Sequence, residues 1–168
     1  VRGVGTYAGD QNPLIVIDGI VHSAFGEQKH LADRAQFNDM MRHVEGVYLP
    51  VHSWTVTDEE LSSLTREQAE EKLLSLMKAF YAAKEKHYTS AVMREIERVI
   101  TLRVVDEYWM DHIDAMDDLR QGIRLRAYAQ DDPVVAYKRE GFEMFEALTS
   151  AIKEEIVHRL FAFRLKED

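Results

Sequence analysis

The stretch LRVVDEYWMDHIDAMDDLRQGIRLRAYAQDDPV, from Leu102 to Val134, leaves this chain few ways to fold. Apolar residues at Val105, Trp109, Ile113, Met116, Leu119 and Ile123 recur at helical spacing, with acids between them. The pattern stops around Leu125 to Gln130, among Arg124, Arg126 and Tyr128. Asp132 followed by Pro133 restarts a helix, because the aspartate can accept from a free N–H and proline fits a first turn that has no use for its missing donor. Two long helices, antiparallel and joined by a basic, aromatic tip, are therefore expected.

The rest of the chain arranges itself around that pair. Before it, Ala91 to Ile123 reads as one helix, and after it Pro133 to Leu165 as another, with a stripe through Tyr137, Gly141, Met144, Phe145, Leu148, Ile152, Ile156, Leu160 and Phe163. Thr57-x-x-Glu60 and Thr65-x-x-Gln68 are capping-box patterns, in which the threonine and the acid or amide three residues on satisfy each other's free N–H. The second opens a helix from Arg66 to about His87, striped by Ala69, Leu73, Leu76, Met77, Phe80 and Tyr81. A break is expected at Tyr88 to Ser90, a short helix over Phe37 to Val47 stopped by Pro50, and an extended run over Val51 to Val56. Val1 to Ser23 differs in character. Its glycine-rich start is followed by Leu14 to Ile17, Asp18-Gly19 and Ile20-Val21, a hairpin signal that rests on the positive φ glycine allows. The fold class is mainly α: a long antiparallel helical hairpin, a smaller helical region, and a short N-terminal β-hairpin or irregular segment.

Composition narrows the function classes. A formal charge of −9 and a pI near 5.3 disfavour nonspecific nucleic-acid binding, and no nucleic-acid partner is expected. The absence of cysteine removes disulfides and thiolate zinc sites. No apolar run reaches the ~18 residues of a membrane span. A basic n-region with an apolar h-region is missing at the start, so no signal peptide is expected. Neither a nucleophile elbow nor a G-x-x-x-x-G-K-[ST] phosphate loop occurs, so the chain carries no catalytic residue and no nucleotide site of that kind. Asp111, His112, Asp114, Asp117 and Asp118 make an acid-rich patch, but His112 has no second ligand at HExxH spacing. The patch reads as a solvated or salt-bridged face, with no metal expected.

At WMDHIDAMDDLRQGIRLRAYAQDDP the chain resembles the two-helix finger of the SecA preprotein translocase motor. MREIERVITLRVVD before it and YKREGFEMFEALTSAIKEEI after it extend the likeness, close over Met93 to Ile156 and looser back to Phe37. The resemblance implies three regions: an atypical N-terminal segment over 1–35, a helical wing over 36–88, and a helical scaffold with its finger over 89–168. It implies a mechanical role in ATP-driven protein export. ATP and magnesium would belong to motor domains absent from this chain, which itself needs no cofactor. The partners implied are those ATPase domains, a preprotein and a SecYEG-type channel, and the location is the cytoplasm, peripheral at the inner membrane. Taken alone, VRGVGTYAGDQNPLIVIDGI resembles instead the plug segment of TonB-dependent outer-membrane receptors. A second functional class stays open, a non-catalytic helical module that binds a protein partner through its acidic face.

Site residues follow from the same comparison. The resemblance places Tyr128 at the bulky fingertip position that contacts the translocating polypeptide, with Arg124 and Arg126 beside it. An aromatic suits that task, because it offers a large amphipathic face with little rotamer entropy to lose. Read from the residues alone, the same arginines are a solvated helix end that favours cations. His112 and Arg120 are assigned to the scaffold or its interfaces. Trp109 is expected in the core between the two helices, with an interface anchor as the other reading.

Overall fold

The computed structural model describes residues 34–126 and 132–164. Among them are five helices and no sheet strand: α1 (Arg34–Val44), α2 (Asp58–Ser63), α3 (Arg66–Tyr88), α4 (Ser90–Arg126) and α5 (Pro133–Ala162). The mainly α expectation holds. The N-terminal hairpin read from Leu14 to Val21 lies outside the described residues.

Local chemistry sets the helix ends. α1 stops three residues earlier than the sequence suggests, because Gly46 takes a φ of +83°. That left-handed turn lets the N–H groups of Tyr48 and Leu49 both donate to the Val44 carbonyl, at 2.9 and 3.0 Å. Pro50 therefore follows a helix that has already ended. Both capping boxes form. The N–H of Glu60 donates to Thr57 Oγ1 while the Thr57 N–H donates to the Glu60 carboxylate. Thr65 and Gln68 exchange the equivalent pair. Arg34 ties the start of α1 to that of α2, donating to the Asp58 carboxylate and, at 2.7 Å, to the Val56 carbonyl.

The break between α3 and α4 falls on Thr89, at φ 71° and ψ 151°. Only glycine is comfortable there, so a β-branched residue carries strain. The surroundings hold it: the Glu85 carboxylate accepts from Ser90 and from Arg94, both at 2.8 Å. Those two bonds, Ser90's first and then Arg94's, favour the charged form and hold the Glu85 carboxyl below the usual carboxylate pKa. Thr89→Gly should release the strain, offset in part by glycine's greater backbone entropy, for a net gain of about 1 kcal/mol. The melting midpoint should then rise by roughly 2–4 °C.

The chain divides into two compact units. The first holds the described residues through Arg94 together with those from Val157 onward. In it, Phe37, Met40, Met41 and Val44 of α1 are buried, as are Ala69, Leu73, Met77 and Tyr81 of α3. Val157, Leu160 and Phe161 of α5 complete this core. Phe161 is fully enclosed, with ring centroids of Tyr81 at 5.4 Å, Tyr48 at 5.6 Å and Phe80 at 6.2 Å.

The second unit, Glu95–Ile156, is the helix pair. Val104 packs with Leu148 and Ile152, flanked by Ile100, Val105, Tyr108 and Ile156. Further along α4, a Cβ added to Gly141 would lie 3.2 Å from the Met116 methyl. The contacts thus advance along α4 as they retreat along α5, which is antiparallel packing within this unit.

Candidate functional site

The face that α4 turns inward differs from the one its largest apolar residues suggest. Val104, Leu119 and Ile123 are buried, with Tyr108, His112, Ala115 and Met116 partly covered between them. Trp109 is 46% exposed, which overturns its expected place in the core. Ile113 is equally exposed, and so is Phe145 of the α5 stripe. Apolar residues run around much of α4, so the inward face is decided by what α5 offers opposite.

A broad apolar face is left open as a result. On α4 it holds Leu102, Trp109 and Ile113; on α5 it holds Phe142 and Phe145. His112 joins the two halves, its ring 5.5 Å from that of Trp109 and 6.2 Å from that of Phe145. Exposed apolar area of this kind usually marks a contact surface. Trp109→Ala should accordingly cost less than about 1 kcal/mol in a denaturant melt, as surface substitutions do. A loss of several kcal/mol would put the indole back in the core.

The acid patch is solvated, as read from the sequence. Asp111, Asp114, Asp117 and Asp118 are all exposed, and Arg120 pairs with Asp117 at 2.7 Å. Among the described residues no group of three or more His, Asp or Glu side chains comes together to hold a metal ion. None of the described helices is long and apolar enough to cross a membrane. Arg124 is exposed near the end of α4. The side chain of Arg126 and the whole of Tyr128 lie outside the described residues.

One residue that sequence reasoning passed over stands out in the first unit. Lys84 continues the buried face of α3 after Met77 and Tyr81 and is only 8% exposed. Its Nζ donates to the carbonyls of Leu160 and Phe161, at 2.9 and 2.8 Å, and sits 3.7 Å from the Phe163 ring centroid. Burial, and then repulsion from Arg164, push its pKa down from 10.5 to about 8, so it remains charged at neutral pH. The signal available in the sequence was a lysine at the next position of an apolar stripe.

Among the described residues these features define a mainly helical protein with an open apolar face. The chain belongs to the family described as the SecA Wing and Scaffold domain, which matches residues 11–164. It is 48% identical over 122 residues to the protein translocase subunit SecA of Pelotomaculum thermopropionicum, covering 73% of this chain and 14% of that protein. The SecA of Acetivibrio thermocellus is 41% identical over 142 residues, covering 84% of this chain and 16% of its own length. The SecA of Clostridium perfringens is 41% identical over 159 residues, covering 91% and 18%. The chain thus spans less than a fifth of the length of these relatives. The family match begins at residue 11, well before the Phe37 limit drawn from the resemblance, and takes in half of the segment likened to a receptor plug.

Proposed function

We propose that this chain is the wing and scaffold part of a SecA-type protein-export motor, with the tip between α4 and α5 as its working end. The family membership carries this reading. The role is mechanical. ATP and magnesium would act in motor domains that this chain does not contain, and the scaffold would receive their movements through the open apolar face of Leu102, Trp109, Phe142 and Phe145. Tyr128, Arg124 and Arg126 would meet the preprotein and the mouth of a SecYEG-type channel, at the cytoplasmic side of the membrane. The −9 charge accords with a protein partner for the scaffold in place of nucleic acid.

The test is a chimera in which residues 11–164 replace the matching segment of a SecA relative. ATP-driven preprotein transport into membrane vesicles is expected to persist. A chimera that folds and hydrolyses ATP but moves no preprotein would overturn the proposal.

A further inference from the structure

Helix α5 ends at Ala162 without the usual means of ending a helix. The last carbonyls of a helix lack intrahelical donors, and a glycine or asparagine in the left-handed conformation commonly supplies the closing turn. Here the next residues are Phe163 and Arg164. Leu160 and Phe161 are 1% and 0% exposed, so an unpaired carbonyl there would be costly. Two cations meet the need. Lys84, from α3, donates to the carbonyls of both Leu160 and Phe161. Arg164, just past the helix end, donates through Nη1 to the Phe161 carbonyl at 2.9 Å and to the Phe163 carbonyl at 2.8 Å.

The Phe161 carbonyl is therefore served twice, once by a residue 77 positions away and once by a neighbour three positions on. We propose that this junction is a releasable clasp, in which Lys84 pins the end of α5 to α3 and Arg164 keeps the Phe161 carbonyl paired when Lys84 withdraws. A lone buried anchor would behave otherwise, since its withdrawal would strand both carbonyls at once. The second donor removes the part of that penalty that falls on Phe161 and leaves only the Leu160 carbonyl to be met by water as the end opens. The two like charges also repel across the shared acceptor, so neither holds its place as firmly as it would alone. Burial is the larger cause of the lowered Lys84 pKa, and this repulsion adds to it. The end of α5 can then loosen from α3 as a local event, below the free energy of unfolding the unit.

Hydrogen exchange, read by mass spectrometry on peptides spanning 157–163, tests this in the whole 168-residue chain. The proteins compared are the parent, Lys84→Met, Arg164→Ala and the double variant. Each single change should speed exchange of the last turn by up to about tenfold, the scale of one charge-assisted hydrogen bond. The double variant should exceed the product of the two, because each donor covers for the other only while it is present. Peptides from the middle of α3 should stay protected in the single variants. A double variant equal to the product of the singles would overturn the proposal, and so would unchanged exchange in Lys84→Met. Loss of the whole unit's protection in Lys84→Met would also overturn it, since that result marks Lys84 as a fixed anchor that Arg164 cannot replace.

Discussion

Phe161→Ala is expected to destabilise the protein by about 3–5 kcal/mol, the range for removing a buried aromatic ring. The ring is fully enclosed and touches Tyr48, which follows α1, and the adjacent Phe80 and Tyr81 of α3. Nothing nearby can collapse easily into the space, because those neighbours are themselves rigid rings with their own contacts. Edge-to-face geometry with Tyr48 would be lost as well, adding to the area term. The residue also sits in the last turn of α5, where its carbonyl receives Lys84 and Arg164. A thermal melt should show the midpoint falling by roughly 10 °C or more. Phe161→Leu, which keeps most of the volume, should recover over half of the loss. If Phe161→Ala melts within 2 °C of the parent, on the order of 1 kcal/mol or less, the aromatic cluster is not what holds the first unit together.

Tyr128→Ala should separate stability from function. A residue past the end of the apolar pattern of α4 has little core to lose, and the melt of the isolated chain should shift by less than ~0.5 kcal/mol. In the chimeric motor the same change should lower ATP-driven transport on the order of tenfold, the scale expected when one aromatic anchor is removed from a contact. ATP binding should persist, since no residue of this chain is proposed to touch nucleotide. Tyr128→Trp should be milder, because it keeps a large amphipathic face. Transport that is indifferent to Tyr128→Ala would show that the tip is not the working end. Unfolding of the chain by that change would show that Tyr128 is packed.

Features that depend on a few adjacent residues were legible before the structure. Thr57 with Glu60 and Thr65 with Gln68 form the caps their spacing announces, and the break before Ser90 falls where periodicity fails. Features that depend on distant partners were not. The inward face of α4 could not be chosen from α4 alone, because Leu102, Trp109 and Ile113 compete with Val104, Tyr108 and Leu119 as a second apolar stripe on the same helix. Lys84 was hidden for the same reason: its acceptors lie 76 and 77 residues away. Gly46 ended α1 early, although Pro50 was the more visible stop. For the tip, the sequence supplied residue types, and the roles of Tyr128 and its arginines came from family likeness.

The open face of the helix pair has a colloidal consequence. A folded chain that keeps Trp109, Met110, Phe142 and Phe145 in water is adhesive toward its own copies. At −9 the copies repel one another, and that repulsion reaches about 10 Å at 0.1 M salt but only about 3 Å at 1 M. Solubility of the solitary chain is thus an electrostatic property laid over a sticky surface. Raising the ionic strength strips away the repulsion and leaves the adhesion, so salt should drive clumping of fully folded molecules without any melting.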